Sequence, residues 1–426
     1  MIEMKDSGIE WIGVIPAHWE IKRLKSIFSE CKDLSSTGEE DLLSVSEYYG
    51  VARRLDIKED DEFDSRADSL EGYKICKKND LVINIMLAWK RGLGFSDYDG
   101  IVSPAYAVYR GKNIIPHYYH YLLRTDRYIA EFKRNSKGII DSRLRLYSDR
   151  FFNIKTIVPP LAEQQAIADY LDKKTAEIDE QITALEKKSD AYQRLKRSLI
   201  SEVITRGLNP TVELKDSGIE WIGEIPEHWV IKRFKEMFRH YSTGFTPDSK
   251  DMKYFADDEI NTWVTIADLV DKYIVDSNMY LSNKAINDYA PILSPKGSLL
   301  FSFKLSVGKT AFAGKNLYTN EAIVTIPPQR NNDLRYFYYL IPEACANNAT
   351  ENIYGAKMLN QKIIANMILF APPIDEQRAI ADYLDKKTAE IDSNISAISS
   401  KIDAYKRLKQ SLIDEVVTGK RRIEKA

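Results

Sequence analysis

The chain has 426 residues, 44% hydrophobic and 29% charged, with a formal net charge of −2 at pH 7. That length fits two or more domains, and that composition fits a soluble globular protein. The longest nearly apolar run, LVINIMLAW at 81–89, is far short of a membrane span, the opening MIEMKDSG lacks the regions of a signal peptide, and the near-balanced charge carries no global signature of nucleic-acid binding.

The first element is the phrase KDSGIEWIGVIPAHWEIKRLKSIF at 5–28, which returns at 215–238 with 18 of 24 positions identical. Its apolar residues, among them Ile9, Trp11, Ile15, Trp19 and Phe28, predict an anchoring segment. His18 and His228 recur beside Trp19 and Trp229, a pattern that favours packing over metal ligation. In the variable region that follows, DLVINIMLAW, GIVSPAYAVYR and NIKTIVPP predict strands, and 117–135 predicts a helix. Two stretches there gather cations. WKRGLGF (89–95) sets Lys90 and Arg91 beside Trp89, and RNSKGIIDSRLRLYSDR (134–150) carries Arg134, Lys137, Arg143, Arg145 and Arg150 against two Asp. Cations with polar and aromatic neighbours on loops suit phosphates and base edges, while the competing reading is the wet face of an ordinary surface.

A longer repeat comes next. Residues 159–200 and 372–413 match at 30 of 42 positions, each opening on Pro-Pro, which is tolerated at a helix start but not inside one. Leu171, Ile178, Leu185, Tyr192 and Leu199 fall seven apart, as do Leu384, Ile391, Ile398, Tyr405 and Leu412. Ile167, Ile182, Leu195 and Val203, and in the second copy Ile380, Ile395, Ile402, Leu408 and Val416, fill the intervening positions. That is a heptad seam on a helix of roughly 40 residues, about 60 Å at ~1.5 Å per residue. RGLNPT at 206–211 supplies a stop. A single stripe needs a partner. The other copy in the same chain, antiparallel, with a domain at each end, is the compact solution, and pairing with another chain is the alternative.

The second variable region differs from the first. NTWVTIADL, GSLLFSF, GKTAFAG and EAIVTIPP predict strands and 333–348 a helix, an ordering shared with the first region but not a sequence. KGSLLFSFKLSVGKTAFAGK (296–315) carries four Lys, Lys304 and Lys309 among them, and no acid; Lys357 lies further on. FADDEI (255–260) reads as a solvated acidic turn rather than a metal site. The period, about 210 residues, is too long for a solenoid and marks tandem duplication of a whole unit.

The motifs of catalysis are missing. The chain has no GxxxxGK[ST] loop, no Gly-rich strand-to-helix turn, and no Asn-Pro-Pro-aromatic motif of amino-methyltransferases. Cys31, Cys76 and Cys345 lie far apart, as reduced thiols of a cytosolic protein do, and the five histidines give no metal spacing. The chain reads as a non-enzyme without metal or cofactor. Its fold class is α+β: two globular mixed α/β domains joined by two long helices in an antiparallel intramolecular coiled coil, a pseudo-twofold tandem duplication.

The repeated GIEWIG-x-IP-x-HW, the PP[L/I]…EQ…AIADYLD helix start and the phrase-domain-helix order resemble the specificity (S) subunit of Type I restriction–modification systems across essentially the whole chain. LLSVSEYYGV (42–51) and 80–110 resemble one type of target-recognition domain; STGFTP (242–247), GSLLFSFKLSVGKTAF and YTNEAIVTI resemble another. The resemblance implies target-recognition domains at 1–158 and 211–371 and spacer helices at 159–210 and 372–426. Each domain would read one half of an asymmetric split DNA site in the major groove. Half-sites one helical turn apart are ~34–36 Å centre to centre, a span that a rod of about 60 Å serves. It also implies a cytoplasmic complex with double-stranded DNA, two methyltransferase (M) subunits that bring S-adenosylmethionine for adenine N6, and motor-nuclease (R) subunits that bring ATP and Mg. TAEID at 175–179 and 388–392 lies where some members vary helix length.

The family assigns no base-reading residues. Lys90, Arg91, Lys137, Arg143, Arg145, Lys304, Lys309 and Lys357 are candidates on local charge and expected loop position alone. The rival readings are a coiled-coil adaptor or scaffold without DNA readout and a self-sufficient enzyme with an unrecognised site.

Overall fold

The computed structural model describes residues 3–56, 69–257, 260–351 and 357–423. The chain divides into two compact units, Met1–Lys187 with Ser399–Ala426, and Lys188–Ile398. Each unit therefore holds one variable region together with half of each long helix.

In the first unit the opening phrase forms the antiparallel hairpin Met4–Asp6 with Val14–Pro16, and its strand Glu20–Arg23 pairs with Lys155–Val158. The main sheet runs Phe28–Cys31, Tyr106–Gly111, Asp80–Asn84, Leu93–Phe95, all antiparallel. Side chains alternate across it as strand geometry requires. Leu81 and Ile83 enter the main core with Trp19, Phe28, Tyr109, Tyr119, Phe132 and Leu171, while Val82 joins Leu43, Val45, Cys76 and Val108 on the other face. The predicted helix over 117–135 is two helices, Pro116–Leu123 and Asp126–Asn135. The break falls at Arg124, whose guanidinium donates to the carbonyls of Arg91, Leu93, Glu47 and Tyr48.

The second unit repeats this frame with other residues. Leu214–Asp216 pairs with Glu224–Pro226, and Val230–Arg233 with Ile368–Ala371. Its sheet runs Ser242–Thr243, Ile323–Ile326, Leu299–Ser302, Thr310–Ala313, Tyr273–Ile274, with only the last pair parallel. Leu299 and Phe301 face the main core and Leu300 the opposite one. The helix Leu334–Asn348 carries Pro342 in its interior.

The long helices are Leu161–Arg206, 46 residues, and Ile374–Val417, 44 residues. Each begins directly after its Pro-Pro. Each is closed by a left-handed glycine, Gly207 at φ +74° and Gly419 at φ +72°, whose N–H groups donate to Val203 O and Val416 O. In the first unit the start of the first helix packs with the end of the second: Leu171, Ile178 and Ile182 share a core with Leu412 and Val416. In the second unit Val203 and Ile204 share a core with Ile380 and Leu384. Within each unit the pairing is therefore antiparallel.

Of the heptad residues, Leu171, Ile178, Leu384, Ile391, Ile398 and Leu412 are buried, and Leu185, Tyr192, Leu199 and Tyr405 are half-buried. Leu195 and Leu408 do not belong to the seam: they are 52% and 50% exposed. Thr175, Ile182, Val203, Thr388 and Val416 are buried four places after a seam residue. Leu195 and Leu408 stand three places after one, where the other heptads carry only polar residues: Lys174, Gln181, Lys188 and Glu202 in the first helix, and Lys387, Asn394, Lys401 and Glu415 in the second. Among the described residues no helix is long and apolar enough to cross a membrane.

Candidate nucleic-acid interface

The frame that positions the loops rests on the helix start. Glu163 and Gln164 stand in the first turn of the first long helix. Glu163 takes the Trp19 indole N–H at 2.9 Å and the His18 ring at 2.7 Å, while Gln164 accepts from Ile115 N and donates to Pro159 O. The second unit repeats each bond: Glu376 with Trp229 and His228 at 3.2 and 2.8 Å, and Gln377 with Asp333 N and Pro372 O. The repeated His-Trp of the phrase and the repeated Glu-Gln of the helix are two halves of one clamp. A carboxylate in a first turn also sits well on the helix dipole.

A second tie was missed in the sequence. The variable regions do share a motif, Tyr-[Tyr/Phe]-x-Tyr-Leu, at 118–122 and 336–340. Tyr118 donates to Val417 O and Tyr336 to Ile204 O, at 2.9 and 3.1 Å, each just short of a terminal glycine. Tyr121 donates to Asp172 and lies within bonding distance of Thr175, and Tyr339 does the same with Asp385 and Thr388. The motif binds each variable region to the repeated helices. The signal is five residues at a spacing unlike that of either long repeat.

On this frame each unit carries a pair of loops, one from a hairpin of its main sheet and one from a separate antiparallel pairing, Lys137 with Arg145 in the first unit and Thr350–Glu351 with Lys357–Met358 in the second. In the first unit the loop from Asn84 to Gly92 is stitched to the segment after the 137–145 hairpin by the bond Leu146 N to Ile85 O, 2.9 Å. In the second unit the loop from Ser302 to Lys309 is stitched to the segment after Lys357 by Leu359 N to Phe303 O, also 2.9 Å. All eight candidate cations lie on these two loop pairs.

Their surroundings differ. Lys90 is exposed, with Nζ 5.1 Å from the Trp89 ring centre, and Lys133 lies 4.9 Å from the same ring. Arg91 is engaged internally, with Nε on Arg124 O and a guanidinium ion pair to Asp126. Lys137 and Arg145 exchange main-chain bonds of 2.9 Å that close the hairpin, and Arg145 also donates to Leu144 O. Lys137 stands 3.9 Å from Asp149. Arg143 sits exposed at the turn beside a fully exposed Ile139 (100%). Arg134 and Arg150 are paired to Glu131 and Asp149. In the second unit Lys304 lies 5.6 Å from the Phe303 ring centre, Lys309 is exposed, and Lys357 is exposed in the strand Lys357–Met358. Among the described residues Lys90, Arg143, Lys304, Lys309 and Lys357 have no carboxylate partner. Charge without an internal partner is what a phosphate surface requires.

Among the described residues no catalytic constellation is assembled. Burial raises the Cys76 and Cys345 thiols to about 12, so neither is a thiolate at neutral pH, and all three cysteines are free. Burial, with Arg124 nearby, lowers His120 to about 3. Burial lowers Arg124 to about 10, with a smaller contribution from Arg91. Among the described residues no group of three or more His, Cys, Asp or Glu is placed to hold a metal ion, and Asp258 and Glu259 of FADDEI lie outside those residues.

The Type I restriction modification DNA specificity domain family matches residues 16–187 and 226–403. The Type I restriction enzyme MjaVIII specificity subunit of Methanocaldococcus jannaschii is 22% identical over 377 residues, 82% of each chain. The HsdS subunit from Thermoanaerobacter tengcongensis has the same fold, with TM-score 0.55 at 18% identity over 96% of this chain and 98% of that one. A chain from a structure of the assembly and conformational transition of the type I R-M system superposes with TM-score 0.73 at 17% identity, covering 96% of this chain and 99% of that one.

Proposed function

The chain belongs to the Type I restriction modification DNA specificity family, and on that premise we propose how it reads its target. It is the non-catalytic DNA target specificity subunit of a Type I restriction–modification system, which sets aside the adaptor and self-sufficient-enzyme readings. In this proposal the recognition domains are residues 1–158 and 211–371. Each reads one half of an asymmetric bipartite site in double-stranded DNA, through Lys90, Lys137, Arg143 and Arg145 in one and Lys304, Lys309 and Lys357 in the other, while Arg91, tied to Arg124 O and Asp126, holds its loop. The long-helix segments, 159–210 and 372–426, set the spacer and offer the docking surface for two methyltransferase subunits, with motor-nuclease subunits completing the complex. S-adenosylmethionine, ATP and Mg belong to those partners. The free thiols suit the cytoplasm, where the DNA is.

One observation carries the reading. The same pair of loops, stitched by the same kind of main-chain bond, presents in both units cations that have no carboxylate partner among the described residues, although the loop sequences differ. A repeated frame with rewritten loops is the architecture of two readers of two texts. Phosphate contacts from these cations would set orientation, and the residues between them the sequence.

The test is co-expression with the cognate methyltransferase subunits and mapping of methylated adenines. A single bipartite sequence is expected, and exchanging residues 29–158 for another recognition domain should rewrite one half-site and leave the other. Methylation without sequence preference, or an unchanged site after the exchange, overturns the proposal.

A further inference from the structure

Two leucines stand out on the reading loops. Leu87 and Leu305 each lie two residues beyond the carbonyl that stitches the loop, Ile85 O in one unit and Phe303 O in the other. They thus occupy the same place on the frame, and both are leucine where the loops otherwise diverge. Both are exposed, Leu87 to 40% and Leu305 to 81%, and neither joins a buried cluster. Lys90 and Arg91 follow one, and Lys304 and Lys309 flank the other.

Leu305 carries a second mark. Its φ is +62°, in the left-handed region that disfavours a side chain as bulky as leucine. A glycine there would relieve that strain and remove an exposed apolar surface together. The fold gains nothing visible from the leucine, and strain kept at an exposed position points to use by a ligand.

We propose that Leu87 and Leu305 are specificity-determining residues whose side chains pack on the 5-methyl group of a thymine in their half-sites. The proposal rests on the DNA-reading function above and deepens it. In the major groove the thymine methyl is the one apolar mark among hydrogen-bonding edges, and an aliphatic side chain beside phosphate-binding cations matches it in chemistry and position. Lys90 beyond Leu87, and Lys304 and Lys309 around Leu305, would hold the loops at the backbone, and each leucine would reach a base beside them.

Replacing thymine by deoxyuridine removes only that methyl. The complex of the chain with its methyltransferase subunits would be titrated with its mapped duplex and with duplexes carrying deoxyuridine in one half-site at a time. The wild type should bind each substituted duplex about fourfold more weakly for every leucine-packed methyl removed. Leu305→Ser should lose that penalty for one half-site only, and Leu87→Ser for the other. Leu305→Gly should lose it as well while melting no lower than the wild type, which separates reading from folding. The proposal is overturned by a wild type indifferent to deoxyuridine, or by variants that keep the penalty. It is overturned too by serine variants that no longer co-elute with the methyltransferase subunits, which would make the leucines protein contacts. Failure of the function itself looks different: no duplex would be bound in preference to another.

Discussion

Lys409 reaches both carboxylate oxygens of Asp179, at 2.7 and 2.6 Å, and the same positions of the other repeat, Lys196 and Asp392, do the same at 2.7 Å. Each helix thus gives its lysine to the other's aspartate, once in each unit, as residues at a self-complementary contact do. All four residues are partly exposed, so each pair contributes about 0.2–1 kcal/mol, and its larger effect is on register. A double-mutant cycle of Asp179→Ala and Lys409→Ala, followed by urea denaturation, should show a coupling in that range that shrinks in high salt. Additive single effects would deny the pair any part in register.

The seam makes a sharper contrast. Leu171→Ala and Leu384→Ala empty fully buried sites and should each cost about 2–5 kcal/mol. Leu195→Ala and Leu408→Ala should stay within about 0.5 kcal/mol, because those side chains face solvent. Thermal melts of the four variants decide the matter, and equal losses would restore both leucines to the seam.

The candidate cations should divide in two. Arg143→Ala and Lys309→Ala should weaken DNA binding by the complex across all sequences, each lowering the slope of log affinity against log salt by about 0.9. Arg91→Ala should chiefly lower the melting temperature, since its guanidinium ties Asp126 to Arg124 O. An unchanged salt slope in both of the first two variants would remove those residues from the phosphate contacts.

His120 makes the first unit acid-sensitive. Its folded pKa of about 3 lies below the ordinary value of about 6.5, so the folded state holds it neutral. Its contribution is fully present above about pH 6.5 and is lost as pH falls from there towards 3, because the unfolded chain takes up a proton that the folded chain refuses. The slope is at most about 1.4 kcal/mol per pH unit. Urea midpoints at pH 7 and pH 5 should draw apart in the wild type and converge in His120→Gln; an equal fall in both would assign the acid sensitivity to other groups.

Much of the frame was legible because it is written twice. The repeated phrase, the Pro-Pro starts and the seven-residue stripe marked the helices and their partner. Trp19 was readable as a packing residue, but His18 is exposed and bonds to Glu163 instead of packing, and that shared acceptor was not legible, since only the fold brings the phrase to the helix start. Leu195 was misplaced because a stripe read at every third or fourth position hides which of the two faces inward. The Tyr118 and Tyr336 motif escaped because it is short and its spacing differs from both long repeats. Arg91 looked like Lys90 in sequence, and only the carbonyl and carboxylate around it show that it is occupied.

The stitches Leu146 N to Ile85 O and Leu359 N to Phe303 O are made wholly of main-chain atoms. The bond between the two loops therefore places no demand on side-chain identity, while Asn84, Trp89, Arg91 and Ser302 hold each loop through side-chain bonds of their own. That separates evolvability from stability. Away from those four positions, substitutions can accumulate at the reading surface without breaking the bond that mounts it, and a lineage can acquire a new target without first surviving a misfolded intermediate.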